Sequence, residues 1–454
     1  MSKKAASPSQ LMELFFAVAD ELGFQSDHDI AALADVGPES VGNWRTGTVR
    51  EFKKQKFQAA LATLRVQLQA LSAQAGLGLD HDLGLSPLEI EHGSSPSDLH
   101  RQFRDQVGYD YLGHRFLYFE PQGALAWERL IKVGYEQESW LSGVEECCER
   151  FLSTTRDSGG GAKGPLANLI GLGRRERARS LEVISLGPGE GGKEARILQH
   201  IVKALDGNRS RARHLSYVPV DVSIALLLKA ARVARDLFAN QSGGLSRARL
   251  SVLPVCADFE EGNLAFASRL RGDSANPGDD RRLVLFLGNV LGNVRDEEMF
   301  VKQKLGKLVR PGDALWVEVG LRAPRPEDDP LFELTVPDRE ETAGQANRRL
   351  LLEGPYRRYL VASGRAAGDL DLRIRVREQD GSSRVPGSYN FCHDLLIRDE
   401  GRSVTMLYSR RYDLVQLGTW FEGMGYTVEG IHRSKDSQGR SRVGHLLLRR
   451  AGTP

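Results

Sequence analysis

A glycine-rich turn between an apolar run and an amphipathic run is the feature that most constrains this chain. The run LEVISL (181–186) indicates a buried strand, and GPGEGG (187–192) follows it directly. Apolar residues then recur at helical spacing over 193–201. A strand–turn–helix unit of this kind brings backbone N–H groups close to a bound nucleotide, although a glycine turn also serves as a plain connector.

Three further apolar runs end in polar clusters, namely LSYVPVDV (215–222), LSVLPVCADFE (250–260) and RLVLFLGNVLGN (282–293). Asp221 stands at the end of the first, where a carboxylate can accept both hydroxyls of a ribose. Because parallel strands end at the same edge of an open α/β sheet, and ligands bind at that edge, these clusters predict a nucleotide-type cofactor site. The strand–helix alternation predicts an α/β fold with a mostly parallel sheet and helices on both faces.

The motifs LGPGEGGK, YVPVDVS, VCADFE and FLGNVLGN, in this order, resemble those of the histidine-specific S-adenosylmethionine-dependent methyltransferases. The resemblance extends from about Leu112 to the C-terminus and is clearest between Glu182 and Gly320. It implies S-adenosyl-L-methionine as the cofactor and a Rossmann-like methyltransferase fold.

Residues at the four strand ends are candidates to hold the methyl donor: Gly187, Gly189, Lys193, Asp221, Asp258 and Phe259. The glycines let the backbone approach the donor, and Asp221 would accept the ribose hydroxyls. The resemblance implies that Lys193 meets the donor carboxylate, the alternative being a solvated helix residue. It also implies that Asp258 accepts from the adenine amino group, with Phe259 in apolar contact.

The resemblance also implies residues on the acceptor side. Asn293 matches an asparagine that binds the α-amino group of the substrate, and Asn347 lies in an Asn-containing substrate motif. Ser409 matches a serine that contacts imidazole. Tyr118 matches a pocket tyrosine, the alternative being ordinary aromatic core. Tyr118 and Asn293 are therefore the candidate catalytic residues.

Leu407 departs from the family pattern, because the family has an imidazole-binding glutamate at this position. A buried carboxylate that binds an imidazole N–H determines specificity, so its replacement leaves the acceptor open. Glu318, Glu333 or Asp394 are candidates to replace it. Histidine, a related or modified amino acid and a peptide terminus all remain as acceptors.

The first 72 residues predict a separate helical module. The segment DHDIAALADVGPESVGNWRTG (27–47) resembles a helix-turn-helix of the phage-repressor type, with Ser40, Asn43 and Arg45 as candidate DNA-binding residues. Acidic residues balance the basic ones over the module, so a dimerisation or protein-binding role competes with DNA binding.

Composition shifts divide the chain into three parts. Residues 1–72 form the helix-turn-helix-like domain, and the Gly-, Ser- and Asp-rich stretch 73–97 is a linker. The predicted methyltransferase domain consists of an N-terminal helical substrate-side part, a cofactor-binding core, an α+β insertion and C-terminal strands: 98–175, 176–321, 322–402 and 403–454.

The 454 residues carry a net charge of +2, which gives no overall attraction to nucleic acid or membrane. No apolar run approaches the ~20 residues that span a bilayer, and the N-terminus lacks a signal-peptide pattern. The four cysteines have no metal-ligand spacing. We therefore predict a cytoplasmic protein without a metal site.

These features predict a S-adenosylmethionine-dependent N-methyltransferase that acts on a small amino-acid-type acceptor, with a homodimer or a DNA or protein partner served by residues 1–72. The main alternative is a DNA-binding regulator whose methyltransferase-like domain senses a cofactor or metabolite. A nucleic-acid methyltransferase is a third candidate, but Gly288-Asn289 stands where an Asn/Asp-Pro-Pro-aromatic motif is expected.

Overall fold

The computed structural model describes residues 27, 38–45, 88–119, 123–124, 126–127, 137–152, 164–172, 178, 180–207, 214–240, 249–269, 280–335, 343–378, 383–436 and 439–452. The strands in these ranges are β1 (Glu89–Ile90), β2 (Ser180–Leu186), β3 (His214–Asp221), β4 (Arg249–Val252), β5 (Val255–Cys256), β6 (Asp280–Phe286), β7 (Ala314–Gly320), β8 (Leu370–Arg377), β9 (Tyr389–Ile397), β10 (Arg402–Arg411), β11 (Tyr426–Lys435) and β12 (Ser441–Arg450).

The α-helices are α1 (Pro38–Arg45), α2 (Pro96–Gln106), α3 (Arg115–Tyr118), α4 (Gln137–Phe151), α5 (Pro165–Leu169), α6 (Gly192–Gly207), α7 (Ile224–Asn240), α8 (Phe266–Arg269), α9 (Val290–Asn293), α10 (Glu297–Met299), α11 (Gly306–Leu308), α12 (Ala343–Ser363) and α13 (Leu414–Gly423). A π-helical segment, Phe300–Leu305, joins α10 to α11. None of the helices in the described ranges is long and apolar enough to cross a membrane.

The central sheet has the strand order β1-β5-β3-β2-β6-β7-β12-β11, with β4 also paired to β3. All pairs from β1 to β7 are parallel, whereas β12 pairs antiparallel with both β7 and β11. Parallel neighbours require crossover connections, which the intervening helices supply. All the parallel strands therefore end at one edge.

Helices cover both faces of this sheet, because consecutive residues of its buried strands point to opposite sides. On β2, Val183 packs in a cluster with α4, α5, α6 and α7, whereas Ile184 packs in a second cluster with α9, α11 and α13. The central strands are fully buried apolar runs, as expected for a sheet covered on both faces. This confirms the predicted Rossmann-like α/β fold class.

A second, antiparallel sheet has the order β10-β9-β8. The sequence pattern predicts that 405–412 belongs to the main sheet beside the last strand, and this prediction is wrong. A short turn after Ile397 leads the chain back along β9, so β10 pairs there instead. The strand that closes the main sheet with β12 is β11, at residues 426–435.

The end of the predicted linker packs against the main sheet. Glu89 and Ile90 pair in parallel with Val255 and Cys256. The Ser94 hydroxyl accepts a hydrogen bond of 3.1 Å from the backbone N–H of Asp258. Residues 88–95 are therefore part of the sheet edge on which the predicted site lies, and the first helix after them, α2, begins at Pro96.

A buried arginine on β10 connects the second sheet to the segment after β6. The Arg410 side chain is fully buried, and its guanidinium donates to the carbonyls of Val294 and Arg295. Its Nε lies 3.7 Å from the carboxylate of Glu297, which is also fully buried. Removing one partner of such a pair leaves an uncompensated buried charge.

We expect Arg410→Met to lower the free energy of unfolding by about 3–5 kcal/mol, because Glu297 would lose its counter-ion. Urea denaturation followed by tryptophan fluorescence measures this change. Arg433→Met is the matched control: Arg433 is exposed on β11, so its replacement should change the free energy by less than about 0.5 kcal/mol. Equal losses in the two variants would contradict the assigned role of Arg410.

Candidate active site

The glycine turn after β2 follows a path that requires glycine. Gly189 and Gly191 have φ angles of +56° and +81°. A Cβ on Gly189 would lie 3.0 Å from Nε1 of Trp127, and one on Gly191 would lie 2.8 Å from the Cα of Ala230 on α7. The turn therefore lets an aromatic side chain and a neighbouring helix approach the backbone closely.

Asp221 ends β3 beside this turn and is buried. Its Oδ1 accepts a hydrogen bond of 2.8 Å from the backbone N–H of Ser223. Burial raises the pKa of the Asp221 carboxyl to about 6, although hydrogen bonds from the backbone N–H groups of Ser223 and Gly189 oppose the shift. A carboxylate at this position can accept hydrogen bonds from a ligand in front of the turn.

Lys193, in the first turn of α6, forms an ion pair with a residue that is distant in sequence. Its Nζ lies 2.7 Å from Oε2 of Glu318, whose side chain is fully buried on β7. The same Nζ lies 4.5 Å from the ring centroid of Trp140. The same carboxylate oxygen of Glu318 also accepts a hydrogen bond of 2.5 Å from the backbone N–H of Gly288. Lys193 is therefore oriented within the site rather than solvated.

Asp258 and Phe259 follow β5 and have different surroundings. Phe259 lines the cavity described below, whereas Asp258 is not among the residues that line it. Asp258 Oδ1 accepts from the backbone N–H groups of Glu260 and Glu261, and its Oδ2 lies 3.1 Å from Nη1 of the buried Arg115. An adenine amino group that binds Asp258 would have to share the carboxylate with these partners. The predicted contact of Asp258 with adenine stays a prediction.

One cavity brings most of the predicted residues together, with an empty volume of about 1050 Å³ that includes its open mouth. We name its two principal sides the glycine-turn wall (Gly187, Pro188, Gly189, Glu190, Gly192, Lys193 and Glu194) and the Asn293 wall (Leu287, Gly288, Val290 and Asn293). The remaining lining residues are His114, Tyr118, Trp127, Leu141, Asp221, Val222, Leu226 and Phe259.

The other predicted acceptor residues lie apart from this cavity or outside the described side chains. Ser409 is buried on β10, and its Oγ accepts a hydrogen bond of 3.1 Å from Nη1 of Arg411. Asn347 lies in α12, but its side chain is outside the described part of the structure, as is that of Glu333. The roles of Ser409 and Asn347 stay predictions.

His114, Trp127 and Glu194 line the cavity, although the sequence did not indicate them as binding residues. His114 Nδ1 lies 3.0 Å from the Glu260 carboxylate. Burial alone would lower the pKa of His114, but the contacts with Glu260 outweigh it, so the pKa is raised. None of these residues belongs to a motif, and their positions follow from tertiary packing alone.

The predicted DNA-binding residues Ser40, Asn43 and Arg45 all lie on α1, where the Asn43 side chain is exposed. The rest of the helix-turn-helix-like module, apart from Asp27, lies outside the described residues. Its DNA binding therefore stays a prediction.

We expect Asp221→Asn to weaken the binding of S-adenosylhomocysteine about 100-fold, because each hydrogen bond to a charged acceptor contributes about 1.5–3 kcal/mol. Isothermal titration calorimetry measures this loss. Since the pKa of Asp221 is raised to about 6, affinity in the unmodified protein should fall as the pH drops through 6 and protonates the carboxylate. The control is Asp236→Asn, at an exposed position of α7. An unchanged affinity in Asp221→Asn would remove Asp221 from the site.

Several solved methyltransferases are similar to this chain at low identity. The CcbJ methyltransferase from Streptomyces caelestis is 14% identical over 60% of this chain and 84% of its own, with a TM-score of 0.28. A S-adenosylmethionine-dependent methyltransferase from Clostridium acetobutylicum is 10% identical over 72% and 98%, with a TM-score of 0.33. The glycopeptide N-methyltransferase MtfA in complex with S-adenosylmethionine is 11% identical over 72% and 96%, with a TM-score of 0.28. These superpositions are too poor to carry residue roles over, and no curated protein matches the chain significantly.

One family model, described as "Histidine-specific methyltransferase, SAM-dependent", matches residues 169–325. The matched range contains the glycine turn, Asp221, Phe259 and Asn293, whereas Tyr118 lies outside it. Residues 169–325 are thus similar to the histidine-specific methyltransferases, and the chain is a S-adenosylmethionine-dependent methyltransferase with S-adenosylmethionine as its cofactor.

Proposed function

We propose that this methyltransferase N-methylates a small acceptor with an amino-acid-type group. The observation that carries the proposal is that Asn293 and Tyr118 line the same cavity as Gly187, Lys193 and Asp221. These two candidate acceptor residues therefore line the same space as three of the candidate donor residues. Transfer of a methyl group needs donor and acceptor held in line, and a shared cavity provides that proximity.

The lining of the cavity suits a methyl transfer. Trp127, Leu141, Leu226 and Val290 are apolar groups that limit the access of water to a reacting sulfonium. When bound, S-adenosylmethionine supplies the electrophilic methyl group. The residues of the chain then bind the donor and the acceptor, orient them and exclude water. This is the main contribution that such a transfer requires from a protein.

An amine acceptor has to be neutral at the moment of transfer, so a proton must leave it. In our proposal the amide oxygen of Asn293 orients the acceptor nitrogen. The hydroxyl of Tyr118 accepts the departing proton in a hydrogen bond and relays it to water. Tyr118 is half-buried, and its ring contacts the edge of Trp127 at a centroid distance of 5.8 Å. His114 is less suited to the role, because Glu260 favours its protonated form.

The acceptor proposed here is related to an amino acid but is not free histidine. Leu407 stands where the resemblance implies an imidazole-binding glutamate, and it packs in an apolar cluster with Phe116 and Leu395. Glu318 is committed to Lys193, as described above. Asp394 accepts from the Thr405 hydroxyl and pairs with Arg375, and neither Asp394 nor Glu318 is among the residues that line the cavity. A modified amino acid or a peptide terminus suits a cavity without these carboxylates better than free histidine does.

We expect release of S-adenosylhomocysteine when the full chain is incubated with S-adenosylmethionine and an amino-acid-type acceptor, and none with duplex DNA. A screen of amino acids, their modified forms, short peptides and DNA measures it. Turnover on DNA alone would contradict the proposal and favour a nucleic-acid enzyme. The absence of turnover with every acceptor class would also contradict it and favour a regulator.

Once an acceptor is found, Asn293→Ala should lower kcat/KM for that acceptor about 100-fold, because the amine loses the group that orients it. Calorimetry with S-adenosylhomocysteine should show donor affinity within about threefold of the unmodified protein. Asn168→Ala, at an exposed position of α5, is the matched control and should leave both quantities unchanged. A parallel loss of donor affinity in Asn293→Ala would place Asn293 on the donor instead.

A further inference from the structure

Glu194 is a buried carboxylate in the wall of the cavity. It occupies the first turn of α6, its residue is 2% exposed, and it lines the cavity. Its Oε1 accepts a hydrogen bond of 2.9 Å from the hydroxyl of Ser185 on β2. Its Oε2 is buried and has no hydrogen-bond partner in the described part of the chain. A carboxylate oxygen left in this state costs free energy unless a ligand satisfies it.

The other carboxylates that line or adjoin the cavity have their partners. Oε2 of Glu318 is paired with Lys193, as described above; its Oε1 is also buried without a hydrogen-bond partner, but Glu318 is not among the residues that line the cavity. Glu190 lies 3.0 Å from Nζ of Lys229 and is about one-third exposed. Asp221 accepts from backbone N–H groups. Among the carboxylates that line the cavity, Glu194 is thus the one with a buried oxygen that has no hydrogen-bond partner in the described part of the chain.

The surroundings of Glu194 have opposing effects on the protonation of its carboxyl group. Burial raises the pKa of Glu194 to about 7, opposed by the hydrogen bond from its own backbone N–H, by that from the Ser185 hydroxyl and by the charge of Lys193. The titratable groups that face it are Lys193 on its own helix, Glu318 on β7 and Tyr217 on β3. A cation placed beside Oε2 would favour the ionised form, so binding of a cation and loss of the proton are linked.

We propose that Glu194 receives the α-ammonium group of the methyl donor, with the Ser185 hydroxyl fixing the orientation of the carboxylate. The inference rests on S-adenosylmethionine as the cofactor and not on the identity of the acceptor. The ammonium and carboxylate of the donor share one carbon atom, so the residues that bind them must be close neighbours. Lys193 and Glu194 are consecutive residues and both line the cavity, whereas the sulfonium lies two methylene groups farther along the donor.

Two ligands that differ in one group test this assignment: S-adenosylhomocysteine and its desamino analogue, in which hydrogen replaces the α-amino group. In calorimetry of the full chain at pH 8, the unmodified protein should prefer S-adenosylhomocysteine about 10- to 100-fold, as expected for one charge-assisted hydrogen bond. Glu194→Gln should reduce this preference to less than about threefold, with the affinity for the desamino analogue unchanged.

The preference should also depend on pH. Because the raised pKa of Glu194 lies near 7, the ratio of the two affinities should decline as the pH falls through 7 and should be independent of pH in Glu194→Gln. Asp221 also titrates in the acidic range, but it would affect both ligands alike and cancels from the ratio.

Controls separate the outcomes of this experiment. The desamino analogue reports whether a variant retains a folded site, and Glu194→Asp, which keeps the charge, should retain part of the preference. Glu190→Gln changes the other acidic residue of the turn and should retain all of it.

Equal affinities of the unmodified protein for the two ligands, a preference kept in Glu194→Gln, or a preference lost in Glu190→Gln would each overturn the assignment. If neither ligand bound the unmodified protein, the cofactor itself would be wrong, a different failure from that of Glu194.

Discussion

Burying a carboxylate inside a sheet costs several kcal/mol unless its charge and its lone pairs are matched, and Glu318 on β7 is buried completely. Lys193 and the backbone N–H of Gly288 both donate to its Oε2, as described above. Its backbone carbonyl accepts from the N–H of Asn289, whose side-chain oxygen in turn accepts from the N–H of Gly320. Because Lys193 belongs to the glycine-turn wall and Gly288 to the Asn293 wall, one residue fixes the position of both walls.

The Asn293 wall is also held from the opposite side. Arg410 reaches from the second sheet to the carbonyls just after α9, and Glu297 accepts a short hydrogen bond from Tyr412 at the end of β10. The segment that carries Asn293 is thus fixed between the main sheet and the second sheet. Sites are more exact when rigid elements support them, so an acceptor that contacts Asn293 meets a preorganised surface.

Local patterns in the sequence were sufficient to predict that candidate residues from four strand ends meet, as they do at one cavity. Gly187, Asp221, Phe259 and Asn293 each follow a parallel strand, and parallel strands end at one edge, so their convergence follows from topology. The partner of β10 could not be predicted, because apolar alternation identifies a strand but not its neighbour. β11 was missed because it is largely half-exposed and lacks a continuous apolar run.

The sequence also could not predict which side chains pair when the partners are distant along the chain. Asp258 ends a strand as predicted, but its pairing with Arg115 depends on how the chain before the sheet folds back over the edge. An acidic residue in the first turn of a helix, such as Glu194, ordinarily indicates a solvated position that favours the helix dipole. Here β2, β3 and β7 bury it, and no feature of the GKEAR segment distinguishes the two cases.

The charges along the glycine-turn wall follow from the pairing of Lys193 with Glu318, which cancels one positive and one negative charge. Glu194 of this wall and the neighbouring Asp221, when ionised, then leave this side of the cavity negative. S-adenosylmethionine carries a sulfonium, an ammonium and a carboxylate, whereas S-adenosylhomocysteine has lost the sulfonium charge. Coulombic attraction in a partly desolvated cavity is therefore stronger for the donor than for the product. The cost of burying Glu194 with one unmatched oxygen is offset when the α-ammonium binds, but donor and product share that group. The preference for the donor therefore comes from its sulfonium charge alone.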